Sequence, residues 1–182
     1  MDFTHLPIND LILIQPHKFA DHRGYMMETF QKKVFDFEGI QLNIAQINQS
    51  GSVKGVLRGL HYQIQQPQGK LVKVLKGKIF DVAVDLRKSS PTFGKWAGIT
   101  LDDEESNQLW VPQGFAHGFL VLSDWAEIEY CTTDYYAPEF ERTLLWSDPD
   151  IGIQWPINED MLPVLSQKDR LGKNLKDAEV YE

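Results

Sequence analysis

The sequence predicts an all-β fold, a small sandwich or barrel, on three observations. Short runs with apolar and polar residues in alternation, or rich in β-branched and aromatic residues, recur along the 182 residues. Turn-forming residues separate these runs at the intervals usual for all-β domains. Stretches with the apolar rhythm of a helix are scarce.

Taken in order, the strand-forming segments are 12–15, 25–30, 44–48, 56–62, 71–75, 78–86, 96–101, 108–111, 115–122, 126–132 and 143–146. The pattern changes after the second of them, where residues 31–37 predict a helix packed through Val34 and Phe37 and ended by Gly39 at a position that favours positive φ. Gly77, between Leu75 and Lys78, supplies the backbone freedom of a tight turn and predicts a hairpin. In the strand that follows, Phe80, Val82, Val84 and Leu86 share one face and Asp81, Ala83 and Asp85 the other, so this strand separates two environments. Ser166 has the residue type of an N-cap and opens a second short helix. From about Arg170 the sequence is charged and without apolar rhythm, which predicts a loosely held tail on a single domain spanning residues 1–182.

A chain of this length suits one domain and buries roughly 70% of its unfolded surface. With 42% hydrophobic and 24% charged residues it has the composition of a folded, water-soluble protein. A net charge of −8 and the lack of any Lys/Arg cluster exclude a surface that tracks nucleic acid, although isolated cations can still grip one small anion. Cys131 is the single cysteine, so no intramolecular disulfide forms, and it reads as a small half-buried strand residue. Neither a signal peptide nor a long apolar span is evident, and a cytoplasmic protein with no membrane partner is expected.

Four polar segments interrupt strands that would otherwise simply pack. In Arg58-Gly59-Leu60-His61-Tyr62-Gln63, alternation puts His61 and Gln63 on one face and Leu60 and Tyr62 on the other; which face lines a barrel interior stays open. Gln68-Gly69-Lys70 places an ammonium at the head of an apolar strand, where burial is costly without a partner and snorkelling at an edge is the alternative. In Pro112-Gln113-Gly114-Phe115-Ala116-His117-Gly118-Phe119, glycines bracket a histidine where backbone can approach a ligand closely. Tyr130 closes a strand, and Tyr135 and Tyr136 follow in a loop, able either to stack on a base or to form a surface lid.

Pro112-x-Gly114-x-x-His117 resembles the second motif of cupins, which are double-stranded β-helix (jelly-roll) barrels. Where metal-binding cupins carry His-x-His followed by Glu in their first motif, this chain has His61-Tyr62-Gln63 and then Lys70. Two histidines beside an ammonium make a poor divalent site, so no metal is expected. The combination of Arg58-Gly-Leu-His61-Tyr-Gln, Gln68-Gly-Lys70, Pro112-x-Gly-Phe-Ala-His117-Gly-Phe, Tyr130 with Tyr135-Tyr136, and Leu165-Ser-x-Lys168-Asp169 closely resembles the dTDP-4-dehydrorhamnose 3,5-epimerase family, from about residue 14 to residue 169.

That resemblance implies an isomerase acting without a cofactor on a dTDP-linked 4-keto-6-deoxy sugar, in dTDP-rhamnose biosynthesis. It implies His61 as general base with Asp169 as its orienting carboxylate, Tyr130 as acid on the opposite face of the sugar, and Lys70 as the cation beside the enolate. It further implies a substrate site formed by Arg23, Glu28, Gln46, Asn48, Arg58, His117, Glu141 and Lys168, with Tyr136, Tyr135 or both stacking on the substrate. Inversion at C3 alone, a metal-dependent cupin reaction and a binding protein without catalysis are the alternatives. Exposed strand edges in such barrels are commonly covered by strand exchange, which predicts a homodimer.

Overall fold

The alternation read along the chain resolves into two antiparallel sheets and a separate ribbon. The computed structural model describes residues 1–157 and 162–182. Among these the strands are β1 (Asp2–His5), β2 (Ile12–Gln15), β3 (Lys18–Asp21), β4 (Gly24–Met27), β5 (Gln46–Val53), β6 (Leu57–Gln63), β7 (Lys70–Lys76), β8 (Lys78–Asp85), β9 (Trp96–Asp102), β10 (Gln108–Val111), β11 (Phe115–Val121), β12 (Trp125–Thr132) and β13 (Glu141–Thr143). The helices are α1 (Lys32–Phe37) and α2 (Gln167–Arg170), with 3-10 turns at Pro138–Phe140 and Leu175–Asp177. No helix among the described residues is long and apolar enough to cross a membrane.

One sheet has the order β1-β2-β10-β7-β12-β5, the other β13-β6-β11-β8-β9, and β3 pairs only with β4. From β5 onward every connection except β8 to β9 passes between the two sheets, the winding of a cupin-like jelly-roll barrel. The main core lies between the sheets and includes Val72 and Val74 of β7, Ile79 and Ala83 of β8, Phe115 and Phe119 of β11, and Ile128 of β12. Val82, Val84 and Leu86 point the other way, into a second apolar layer with Leu60, Tyr62 and Leu144. β8 therefore does divide two environments, and both are buried.

Several expectations need correction. Gly77 takes a positive φ of 83°, but β7 and β8 belong to different sheets. The turn is a corner between layers and not a hairpin. A Cβ at Gly77 would lie 2.1 Å from the Trp125 carbonyl oxygen, so the corner itself needs the glycine.

The helix at α1 forms and ends with Gly39 at φ 79°, but its packing residue is Phe35, fully buried, while Phe37 is 87% exposed. Edge-on contacts with Phe3 and Phe30 hold Phe35 in place. β5 starts later than predicted and continues through Gly51, where the Trp125 ring occupies the space a Cβ would fill. β3 went unpredicted and β4 stops short of residue 30, because a four-residue ribbon lying outside both sheets buries no face on the core.

The tail expectation fails as well. Lys173 bridges to Leu144 and Tyr181 to Arg87, and Leu175, Val180 and Tyr181 pack on the second layer. Tyr62 Oη donates to the Glu179 carbonyl and Tyr181 Oη donates to the Gln63 carbonyl, both at 2.6 Å. The charged composition hid these few apolar anchors, which cover the outer face of the five-stranded sheet.

Candidate active site

The site is built where β6 and β11 meet. His61 pairs with His117 across the ladder, but Arg58, three residues back on β6, pairs with Phe119, two residues on along β11. The extra residue on β6 makes a bulge that turns Arg58 and His61 towards the same cavity, which strict alternation forbids. Two glycines permit it. A Cβ on Gly59 would lie 2.6 Å from Gly118 Cα, and one on Gly118 would lie 2.5 Å from the Arg58 carbonyl oxygen.

The cavity, about 340 Å³, opens between the sheets and has the size of a small-molecule site. Val72, Phe119 and Ile128 contribute apolar wall, and the polar groups converge above it. β5 supplies Gln46 and Asn48, β6 supplies Arg58 and His61, β7 supplies Lys70, β11 supplies His117 and β12 supplies Tyr130. Tyr136, Glu141 on β13 and Lys168 on α2 complete the lining.

Asp169 sits directly behind, 3% exposed. His61 Nε2 donates to its Oδ1 at 2.6 Å, which leaves Nδ1 as the basic ring nitrogen. α2 places Asp169 through a capping box. Ser166 Oγ donates to Asp169 Oδ2 at 2.6 Å, while Asp169 N donates back to Ser166 Oγ. Gly59 N adds a donor to Oδ1 at 3.3 Å.

Burial pushes the Asp169 carboxyl up, but the hydrogen bonds from His61 and Ser166 outweigh it and hold the group down at about 2. Burial pushes His61 below its ordinary value against the pull of Asp169, with the charges on Lys168 and Lys70 acting in the same sense as burial. At neutral pH the pair is thus a neutral imidazole on an ionised carboxylate. Lys70 is driven down to about 8, chiefly by burial, and among the described residues its Nζ reaches only the His61 carbonyl oxygen, at 3.5 Å. Burial raises the Tyr130 phenol above its ordinary value, so it stays protonated.

At the mouth, Lys168 Nζ donates to Glu141 Oε1 at 2.7 Å and Tyr136 Oη donates to Glu141 Oε2 at 3.0 Å. Glu141 is held below the usual carboxylate range: burial raises it, and Lys168 more than offsets this. Gln46 bridges Asn48 Oδ1 and the Tyr136 backbone N–H. Arg58 donates to Ser52 Oγ and has no carboxylate partner among the described residues, which leaves its charge for an anion. No group of three His, Cys, Asp or Glu side chains suited to a metal ion comes together among the described residues.

Three predicted site residues lie elsewhere. Tyr135 is 66% exposed and outside the cavity lining, so of the two loop tyrosines it is Tyr136 that faces the site. Arg23 and Glu28 lie at the exposed β3–β4 ribbon and just after it, where Arg23 pairs with Asp21 and Glu28 accepts from Gln31. Both are absent from this chain's cavity. Sequence reasoning missed Asp81 as a site residue, although it is fully buried and accepts from His117 Nε2 at 2.6 Å. The signal was present as a carboxylate on the interior face of an apolar strand.

Comparison with known proteins adds the following. Residues 5–177 match the family model described as dTDP-4-dehydrorhamnose 3,5-epimerase. A Pseudomonas aeruginosa protein of that name is 50% identical, covering 100% of this chain and 99% of its own length. The structure of a Legionella pneumophila 3,5-epimerase in complex with dTDP-4-keto-L-rhamnose superposes with a TM-score of 0.93 at 48% identity, over 98% of this chain and 94% of that one. A 3′-monoepimerase from Streptomyces bikiniensis in complex with dTDP-quinovose superposes with a TM-score of 0.87 at 35% identity, over 94% and 87% of the two chains.

Proposed function

The chain belongs to the dTDP-4-dehydrorhamnose 3,5-epimerase family, and from that premise we infer that it inverts C3 and C5 of dTDP-4-dehydro-6-deoxy-D-glucose to give dTDP-4-dehydro-L-rhamnose, with His61 as the base. One observation carries the assignment of roles. A carboxylate-oriented neutral imidazole and a half-buried ammonium with no carboxylate partner among the described residues line the same small cavity.

The ketone at C4 acidifies the hydrogens on both neighbouring carbons, since loss of either leaves an enolate with its charge on the C4 oxygen. His61 takes the proton through Nδ1, and Asp169 steadies the imidazolium. Lys70 stabilises the enolate oxygen, a contribution of about 3–4 kcal/mol for one preorganised donor in a water-poor site. Tyr130, kept protonated by burial, returns a proton to the opposite face. Solvent then takes the proton from His61 and restores one to Tyr130, so two rounds invert two centres around one oxyanion position.

Arg58 and Lys168 anchor the diphosphate, Gln46, Asn48, His117 and Glu141 orient the sugar and nucleoside, and Tyr136 stacks on the substrate. Arg23 and Glu28 keep a substrate role through a second copy. We propose a homodimer in which the β3–β4 ribbon, with Phe19, Tyr25 and Met26 all at least 60% exposed, crosses to the partner and carries both residues to its cavity. With Cys131 as the only cysteine, the cytoplasm is the setting we assign.

Turnover in deuterated water tests the reaction. Deuterium is expected at C3 and C5 of the sugar, and none in the His61→Ala variant. Label at C3 alone would reassign the enzyme as a monoepimerase, and full exchange by His61→Ala would remove His61 from its role.

A further inference from the structure

The two histidines facing each other across β6 and β11 each rest on a carboxylate, but the carboxylates are bonded very differently. Asp169 accepts from His61 Nε2, Gly59 N, Ser166 N and Ser166 Oγ. Asp81, on the interior face of β8 and fully buried, accepts from His117 Nε2 through Oδ1, while its Oδ2 is buried with no hydrogen-bond partner among the described residues. A carboxylate so placed is costly unless positive charge stands near it.

The cavity holds such a charge. Burial drives Lys70 towards the neutral amine, and Asp81 is the foremost of the charges acting against it, with Glu141 on β13 in the same sense and Lys168 on α2 opposed. The other titratable groups lining this cavity are Arg58, His61 and Tyr62 on β6, His117 on β11, Tyr130 on β12 and Tyr136 in the loop after it. None of them is an anion at neutral pH.

We propose that Asp81 is a positioning residue of the reaction, its Oδ1 fixing His117 through Nε2 and its buried carboxylate supplying the counter-charge that keeps Lys70 an ammonium. The inference rests on the reading of Lys70 as the group beside the enolate oxygen. It divides the labour between two carboxylate–histidine pairs. Asp169 orients the base, and Asp81 maintains the charge the base reaction needs.

The experiment is the pH dependence of kcat for solvent-deuterium uptake into dTDP-4-dehydro-6-deoxy-D-glucose, in wild type and in Asp81→Asn, Asp81→Ser and Asp81→Glu, with folding checked by dTDP binding. Asp81→Asn keeps the shape and an acceptor for His117 but removes the charge; Asp81→Ser is a second charge-free variant should the first not fold. The alkaline limb of the profile is expected to move down by about one pH unit or more in the charge-free variants, with a roughly tenfold loss on the alkaline side and little change near pH 6. Asp81→Glu is expected to restore most of the limb. A limb left in place by a folded charge-free variant overturns the proposal, as does an equal displacement in Asp81→Glu. A wild-type protein that exchanges no protons would instead overturn the assigned activity.

Discussion

In the proposed mechanism His61 acts as a base only when neutral, and Lys70 acts on the enolate only when charged. Burial lowers the first below its ordinary 6.5 and the second to about 8. Activity therefore rises as pH increases through the His61 value and falls as it increases through the Lys70 value. A bell-shaped pH profile of kcat/KM, with its plateau around neutrality, is expected, and a profile still rising above about pH 9 would contradict this assignment. Tyr130→Phe removes the proposed proton donor on the far face and leaves the proposed base intact. It is expected to lower inversion by about 10²–10⁴-fold, with label still exchanging into recovered substrate, as read by mass spectrometry of both sugars. At this scale the sequence was most legible, because an imidazole, an ammonium and a phenol inside apolar strands have few structural uses. Asp81 escaped notice because a single carboxylate between Phe80 and Val82 reads as the polar half of an ordinary alternation.

Among elements, the bulge between β6 and β11 does most to shape the cavity, and it was the least legible. Period-two reasoning sends Arg58 to the face opposite His61, and only the register shift brings them together. Gly59 and Gly118 are the trace it leaves in the sequence, but a glycine in a strand does not say what it must approach. Gly118→Ala is expected to destabilise the fold by several kcal/mol through backbone overlap with Arg58 and Gly59, seen as a large drop in Tm or in soluble yield. α2 has only four residues and depends on its cap. Ser166→Ala should cost about 1 kcal/mol of stability and reduce kcat more than it raises KM, since it also releases Asp169 Oδ2; steady-state kinetics with an unchanged kcat would show that the cap serves the fold alone. Strands with one face on the core were found nearly to the residue, as at β2 and β10, whereas the ribbon β3–β4 lacked the pattern that would reveal it.

For the whole molecule, the jelly-roll class was readable from the spacing of short strands, but the covering of its outer face was not. The charged stretch after Arg170 carries only a few apolar anchors, and these suffice because they close onto Tyr62, Leu144 and Leu86. Tyr181→Ala is expected to lower Tm by removing a buried ring and the hydrogen bond to Gln63, and to weaken catalysis indirectly, since Gln63 ends the strand that bears the base. Size measurement in solution tests the assembly: light scattering should give twice the 21.0 kDa chain mass, and a mass equal to one chain would leave Arg23 and Glu28 without a substrate role.

The base and the carboxylate that orients it stand 108 positions apart along the chain. During synthesis, then, the barrel's strands can leave the ribosome and close on one another while His61 still has nothing to hold its ring. Competence comes only once the Asp169 turn has emerged and docked. A chain ending before that turn would lack both the carboxylate and the apolar anchors that follow it, Leu175, Val180 and Tyr181.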